Sequence, residues 1–147
     1  MSKETSDEER LNSLVVEVRV LEGTYNELTS RQNLLERALL ESRSALDAIK
    51  GLGEKPPNEV LMQIGGGAML RGPPPATEKV LVNVGSNVVI EKPREEAMAI
   101  LETRSRDVEK TIISLINQRN EIGQRLESDR QLLQTLLGQQ GQQGQQG

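Results

Sequence analysis

The chain has no cysteine, no histidine, no phenylalanine and no tryptophan, and Tyr25 is its only aromatic residue. Without Cys or His there is no zinc finger, no imidazole base, no thiolate nucleophile and no redox pair. A hard cation would have to rely on carboxylates and carbonyls alone, and no metal or cofactor is expected. One Tyr makes no platform on which bases or sugars could stack. Positive charge is also short, with 18 Lys and Arg against 22 Asp and Glu, so a net charge of −4 offers no basic field to nucleic acid. No apolar run approaches the ~20 residues that cross a bilayer. Met1–Arg10 is polar and acidic, unlike the basic and then apolar start of a signal peptide. The expectation is a soluble cytoplasmic protein with no membrane partner, and the missing Cys is compatible with a reducing cytosol or a hot one.

Proline is confined in a way that divides the 147 residues. All six prolines (56, 57, 73, 74, 75 and 93) fall in residues 51–93. Residues 7–50 and 94–137 are rich in Leu, Glu, Arg and Ser, as helices require. Residues 138–147 repeat Gly-Gln-Gln and can bury nothing, so a disordered tail is expected there.

Both outer segments carry heptads. With Leu11 as a, the a positions of the first are Leu11, Val18, Tyr25, Gln32, Leu39 and Leu46. Its d positions are Leu14, Leu21, Leu28, Leu35, Ser42 and Ile49, so ten of the twelve are apolar. With Met98 as a, the second has Met98, Ser105, Ile112, Arg119, Leu126 and Leu133 at a, and Leu101, Val108, Leu115, Ile122, Asp129 and Leu136 at d. Nine of those twelve are apolar, and six sustained heptads in each segment predict a coiled coil. Ser6 with Glu9 reads as a capping box for the first helix, and Lys50 followed by Gly51 as its end. Pro93 suits the first position of the second helix. Two equal helices of roughly 65 Å joined by a short middle predict an antiparallel pair. In that pair Tyr25 faces Arg119, Ser42 faces Ser105, and Gly23 lies level with Gly123. Those two glycines are either tolerated surface positions or a flexible joint in the arm.

The middle predicts two β-hairpins. Val60, Met62 and Ile64 alternate before Gly65-Gly66-Gly67, with Ala68 to Arg71 returning. Val80, Val82 and Val84 alternate before Gly85-Ser86-Asn87, with Val88, Val89 and Ile90 returning. The Gly triplet lacks the spacing of a phosphate-binding loop and is read as a turn, so no nucleotide site is expected. Ser, Lys, Asp and Glu are plentiful but fall on outward helix faces, with no pocket to tune them for catalysis. The chain is therefore not read as an enzyme. Isolated hairpins are marginal in water, and their free edges and Val-rich faces demand a partner. The candidate assembly residues are Val60, Met62, Ile64, Met69, Val80, Val82, Val84, Val88 and Ile90.

Surplus apolar residues collect where the first helix begins and the second ends. Val15 and Val16 adjoin Leu11, Leu14 and Val18, while Leu132 and Leu137 adjoin Leu133 and Leu136. Either the excess widens the seam, or it forms a tip that grips other apolar chains. The candidate client-binding residues are Leu11, Leu14, Val15, Val18, Leu132, Leu133, Leu136 and Leu137.

Helix, two hairpins and helix, with Leu61-Met62-Gln63-Ile64-Gly65-Gly66-Gly67-Ala68-Met69-Leu70 and Val82-Asn83-Val84-Gly85-Ser86-Asn87-Val88-Val89-Ile90-Glu91-Lys92, resemble the prefoldin α family in its archaeal form. The likeness covers residues from about 8 to 137. The sequence departs from the usual pattern at Met69, where the family has Phe, at Arg71, where it has Lys, and at Asn87, where it has Gly. Asn tolerates the left-handed conformation that turn requires. The resemblance implies an α+β chain: a long antiparallel two-helix coiled coil with two hairpins at the connecting end, the hairpins forming an intersubunit β-barrel. It further implies a hexamer of two α with four β prefoldin subunits. That assembly captures unfolded polypeptides at the coiled-coil tips without ATP and delivers them to a group II chaperonin. A structural tether or adaptor without chaperone activity is the competing reading.

Overall fold

Two helices carry the heptads: α1 over Ser2–Glu54 and α2 over Arg94–Gln145. The computed structural model describes residues 2–145, with side chains described over 3–141. The chain divides into two compact units. One holds the residues up to Leu35 with those from Thr111 on, and the other holds Glu36–Lys110.

In the first unit all sixteen a and d positions, eight on each helix, are buried or half-buried. Val18, Leu21 and Leu126 form a buried cluster with Ile122 packed on it. Glu17 pairs with Arg125, and Glu22 with Arg130 at 2.7 Å. In the heptad register these are a g–g′ and an e–e′ pair, the combination that antiparallel helices bring together, and flanking charges of this kind fix orientation. The second unit repeats the pattern: its eight seam positions are covered, and Arg43 pairs with Glu109, again e with e′. Ser105 is buried there, but its hydroxyl donates to the Leu101 carbonyl of its own helix at 2.9 Å instead of turning to Ser42.

Both helices overrun the ends expected from the sequence. α1 already includes Ser6, so that residue does not cap, because Lys3 and Glu4 are good helix formers and nothing stops the helix there. At the other end Lys55 N–H donates to the Gly51 carbonyl at 3.0 Å, and the helix gives way only before Pro56-Pro57. Pro93 closes a strand, and α2 starts one residue later. α2 does not stop near Leu137; it runs on through Gly138, where a disordered tail was expected, to Gln145. Gln is a good helix former, and a helix once nucleated adds one hydrogen bond per residue. Gln146 and Gly147, the end of that segment, lie outside the described residues.

Four strands lie between the helices: β1 Val60–Gly65, β2 Ala68–Gly72, β3 Lys79–Asn83 and β4 Val89–Pro93. They form two separate antiparallel sheets, β1–β2 and β3–β4. Gly66 and Gly67 have φ of 60° and 77°, the two positive values a two-residue hairpin loop requires, so the triplet is a turn. The second turn solves the same problem without glycine at its centre. Val88 N–H donates to the Gly85 carbonyl at 2.9 Å across Ser86 and Asn87, whose φ values are 50° and 60°. The Asn83 side chain accepts from Gly85 N–H at 2.9 Å. Asn87 tolerates this region, whereas Ser86 is strained in it. Ser86→Gly is therefore expected to stabilise the chain by about 1 kcal/mol, read as a raised midpoint in thermal unfolding.

Candidate functional site

The second unit carries two hairpins of different character. In β3–β4, Val82 opposes Ile90 and Val80 opposes Lys92, while Leu81 opposes Glu91 and Asn83 opposes Val89. Directly opposed residues share a face. The face of Val80, Val82 and Ile90 is turned inward: Val82 is only 5% exposed, with its neighbours half-buried. The other face presents Leu81, 70% exposed, and Val89 to solvent. The hairpin is tied to α2 by Arg104, which donates to the Asn83 carbonyl, and by Arg94, whose backbone N–H donates to the Glu78 carbonyl at 3.0 Å. Val84 and Val88 flank the turn and are exposed.

In β1–β2, Leu61 opposes Arg71 and Gln63 opposes Met69 on one face; Val60 opposes Gly72 and Met62 opposes Leu70 on the other. The register shifts between Gln63 and Gly65, which leaves Ile64 unpaired. Leu61 and Met69 are exposed on the first face, and Met62 and Leu70 on the second. No residue from Leu61 to Arg71 is covered by the rest of the chain. Met62 stretches over Gly72, where an added Cβ would stand 2.8 Å from its terminal methyl carbon. This hairpin thus has two bare apolar faces and two free edges.

The nine assembly residues expected from the sequence accordingly do not form one surface. Met62, Ile64, Met69, Val84 and Val88 are exposed; Val60, Val80 and Ile90 are half-buried; Val82 is buried within the subunit. Met69 faces away from Met62, because opposition to Gln63 places it on the other side. Leu61, Leu70, Leu81 and Val89 were not among the nine. The signal was present in the unbroken apolar runs Val60-Leu61-Met62 and Val80-Leu81-Val82, which mark strands with apolar residues on both faces.

The first unit bears the other candidate surface. Asp7 and Leu136, Gln139 and Gln140 line one small cavity, so the start of α1 and the end of α2 are side by side. Of the eight residues proposed for client contact, Leu14 and Val18 are buried in the seam. Leu11, Val15, Leu133 and Leu136 are half-buried, and Leu132 and Leu137 are exposed. A heptad seam takes its a and d residues, and Leu14 and Val18 are such residues, so coverage withdraws them from the surface. Val16 and Val20, each 61% exposed at i, i+4 on α1, add an outward apolar pair of which Val20 was not anticipated.

Among the described residues, no group of three acidic side chains converges to hold a metal ion, and no helix is long and apolar enough to cross a membrane. What the arrangement offers chemically is contact area rather than reactivity.

Comparison with known proteins agrees with this arrangement. A family model described as prefoldin subunit matches residues 21–139. A prefoldin subunit alpha from Methanoregula boonei is 38% identical over 101 residues, covering 64% of this chain and 66% of the relative. One from Methanoculleus marisnigri is 32% identical over 126 residues, covering 76% and 85%. One from Nitrosopumilus maritimus is 27% identical over 130 residues, covering 88% and 90%. Among solved structures, a filamentous PFD from Methanocaldococcus jannaschii shares the fold with a TM-score of 0.65 and 23% identity, over 76% of this chain and 93% of that one.

Proposed function

The chain belongs to the prefoldin family as an alpha-type subunit, a family of chaperone subunits rather than enzymes, and from that premise we propose that it serves an ATP-independent holdase. It captures unfolded polypeptides at the paired helix ends and passes them to a group II chaperonin in the cytoplasm. Its hairpins join it to β-type prefoldin subunits, two α with four β, through an intersubunit β-barrel. The observation that carries the reading is the exposed aliphatic set Val16, Val20, Leu132 and Leu137 toward the paired helix ends, beyond which Leu34, Leu40 and Ile113 are also exposed along the helices. Such a set has no directional demands, and several arms holding one client by weak apolar contacts gain avidity without a sequence-specific pocket. The acidic balance of the chain limits self-association.

The test uses the exposed residues and spares the seam. Val16, Val20, Leu132 and Leu137 changed together to Ser are expected to leave assembly and helix content intact. Suppression of client aggregation is expected to fall several-fold, since each side chain removed from an apolar contact costs about 1.5–3 kcal/mol of burial. Undiminished suppression by the intact assembly favours the tether reading for this chain.

A further inference from the structure

We infer that the arm of the first unit contains a built-in joint at the layer of Tyr25, Arg119 and Gly123, about which the distal part of the helix pair bends as a body. Four observations meet at this layer. Gly23 and Gly123 are the only glycines between Ser2 and Gly51 on α1 and between Arg94 and Gly138 on α2. Neither is forced to be glycine. Both sit within helices and have no positive φ, and a Cβ at Gly23 would meet nothing within 4 Å. At Gly123 it would stand 3.4 Å from Cε2 of Tyr25, a contact the ring accommodates. Their remaining effect is to weaken both helices at one height.

The seam is weak at the same place. Tyr25 and Arg119 occupy facing a positions where aliphatic knobs would otherwise interlock. The guanidinium carbon lies 5.9 Å from the ring centroid, and Arg119 Nε is buried without a hydrogen-bond partner. Two clefts of about 540 Å³ each share Tyr25 and Gly123 in their linings. The flanking layers are tight: Val18, Leu21, Ile122 and Leu126 on the distal side, and Leu28, Ile112 and Leu115 on the other. Polar residues also interrupt the seam at Gln32 and Asp129. At Tyr25 and Arg119, however, the polar layer coincides with the two clefts and with a glycine on each helix. Bending concentrates in such a loosely filled layer because close-packed cores resist deformation.

The distal block stays zipped while it moves. Glu17–Arg125 and Glu22–Arg130 both tie its two helices together. What swings is the block carrying Val16, Val20, Leu132 and Leu137. Resting on the holdase reading above, the joint lets that surface turn toward clients of different size at little energetic cost.

Hydrogen exchange on the full chain in its assembly tests the joint without reference to clients. Amides at residues 22–27 and 119–124 are expected to be about thirty-fold less protected than those of the layers on both sides, the effect of two helix glycines acting together. The Gly23→Ala, Gly123→Ala double variant is expected to erase that dip. Equal protection across the three layers, or protection falling smoothly toward the helix ends as in fraying, overturns the joint. The same variant then tests its use: weaker holding of large clients with an unchanged apolar surface supports the role. Undiminished holding overturns the role of bending, and leaves the tip itself to be judged by its own Ser substitutions.

Discussion

Val82→Asp is expected to unfold the second hairpin and so abolish assembly, whereas Leu81→Asp abolishes assembly and leaves the subunit folded. The two residues are neighbours on β3 and differ only in the face they present. Val82 is 5% exposed within the isolated chain, so a carboxylate there is buried without a partner. That costs several kcal/mol, a large share of the 5–15 kcal/mol that stabilises a typical domain. A two-stranded hairpin has no reserve to absorb it. Leu81 is open in the subunit, and its substitution costs nothing until a partner covers it. Native mass spectrometry after co-expression with a β-type subunit reads assembly, and circular dichroism of the isolated chain reads folding. A Leu81→Asp chain that still assembles would show that this face stays in solvent.

The first hairpin is expected to respond to a charge on either side. Leu61→Asp and Leu70→Asp place a carboxylate on opposite faces of β1–β2, and each alone is expected to block assembly. The reason is that neither face is covered by the rest of the chain, and each carries a large aliphatic or Met pair: Leu61 with Met69, Leu70 with Met62. A hairpin bare on both faces becomes stable only as the middle layer of something larger. Each buried carboxylate then costs several kcal/mol of association, a loss of three or more decades in affinity. Sedimentation of mixtures with the β-type subunit measures this directly. Loss in only one of the two variants would place the hairpin on the outside of the assembly with one face wet.

The helices were legible in the sequence because a coiled coil repeats one simple demand many times. All twenty-four heptad positions are covered, including the polar ones at Gln32, Ser42, Ser105, Arg119 and Asp129. Tyr25 and Arg119 meet as the antiparallel register requires. Helix ends were less legible. Ser6 looks like a start only when the residues before it are poor helix formers, and Lys3 and Glu4 are not. At the other end the helix continues through Gly51 and Gly53 despite their poor propensity and gives way only before Pro56-Pro57. The hairpins were legible as hairpins from their Gly and Asn turns. Which side of each strand is bare was not, because alternation separates faces only where one face is polar. In Val80-Leu81-Val82 both are apolar, and only the folded chain shows that Val82 is inside and Leu81 outside. The exposed end of the first unit was legible as a surplus, but the seam claimed Leu14 and Val18 and left Val16 and Val20 outside.

The ion pairs that lock the helices also impose an order on the birth of the molecule. Arg43 and Glu109 are 66 residues apart in sequence, while Glu17–Arg125 and Glu22–Arg130 each span 108. Closing the shorter loop is entropically easier, and once it is closed the longer pairs need only zip onward. During synthesis α1 and then the hairpins emerge from the ribosome before α2 does. At about 5–20 residues per second, α1 then waits several seconds with its leucine stripe bare. The nascent chain is for that interval an unfolded apolar segment of its own, and only its partner helix, arriving last, ends the exposure.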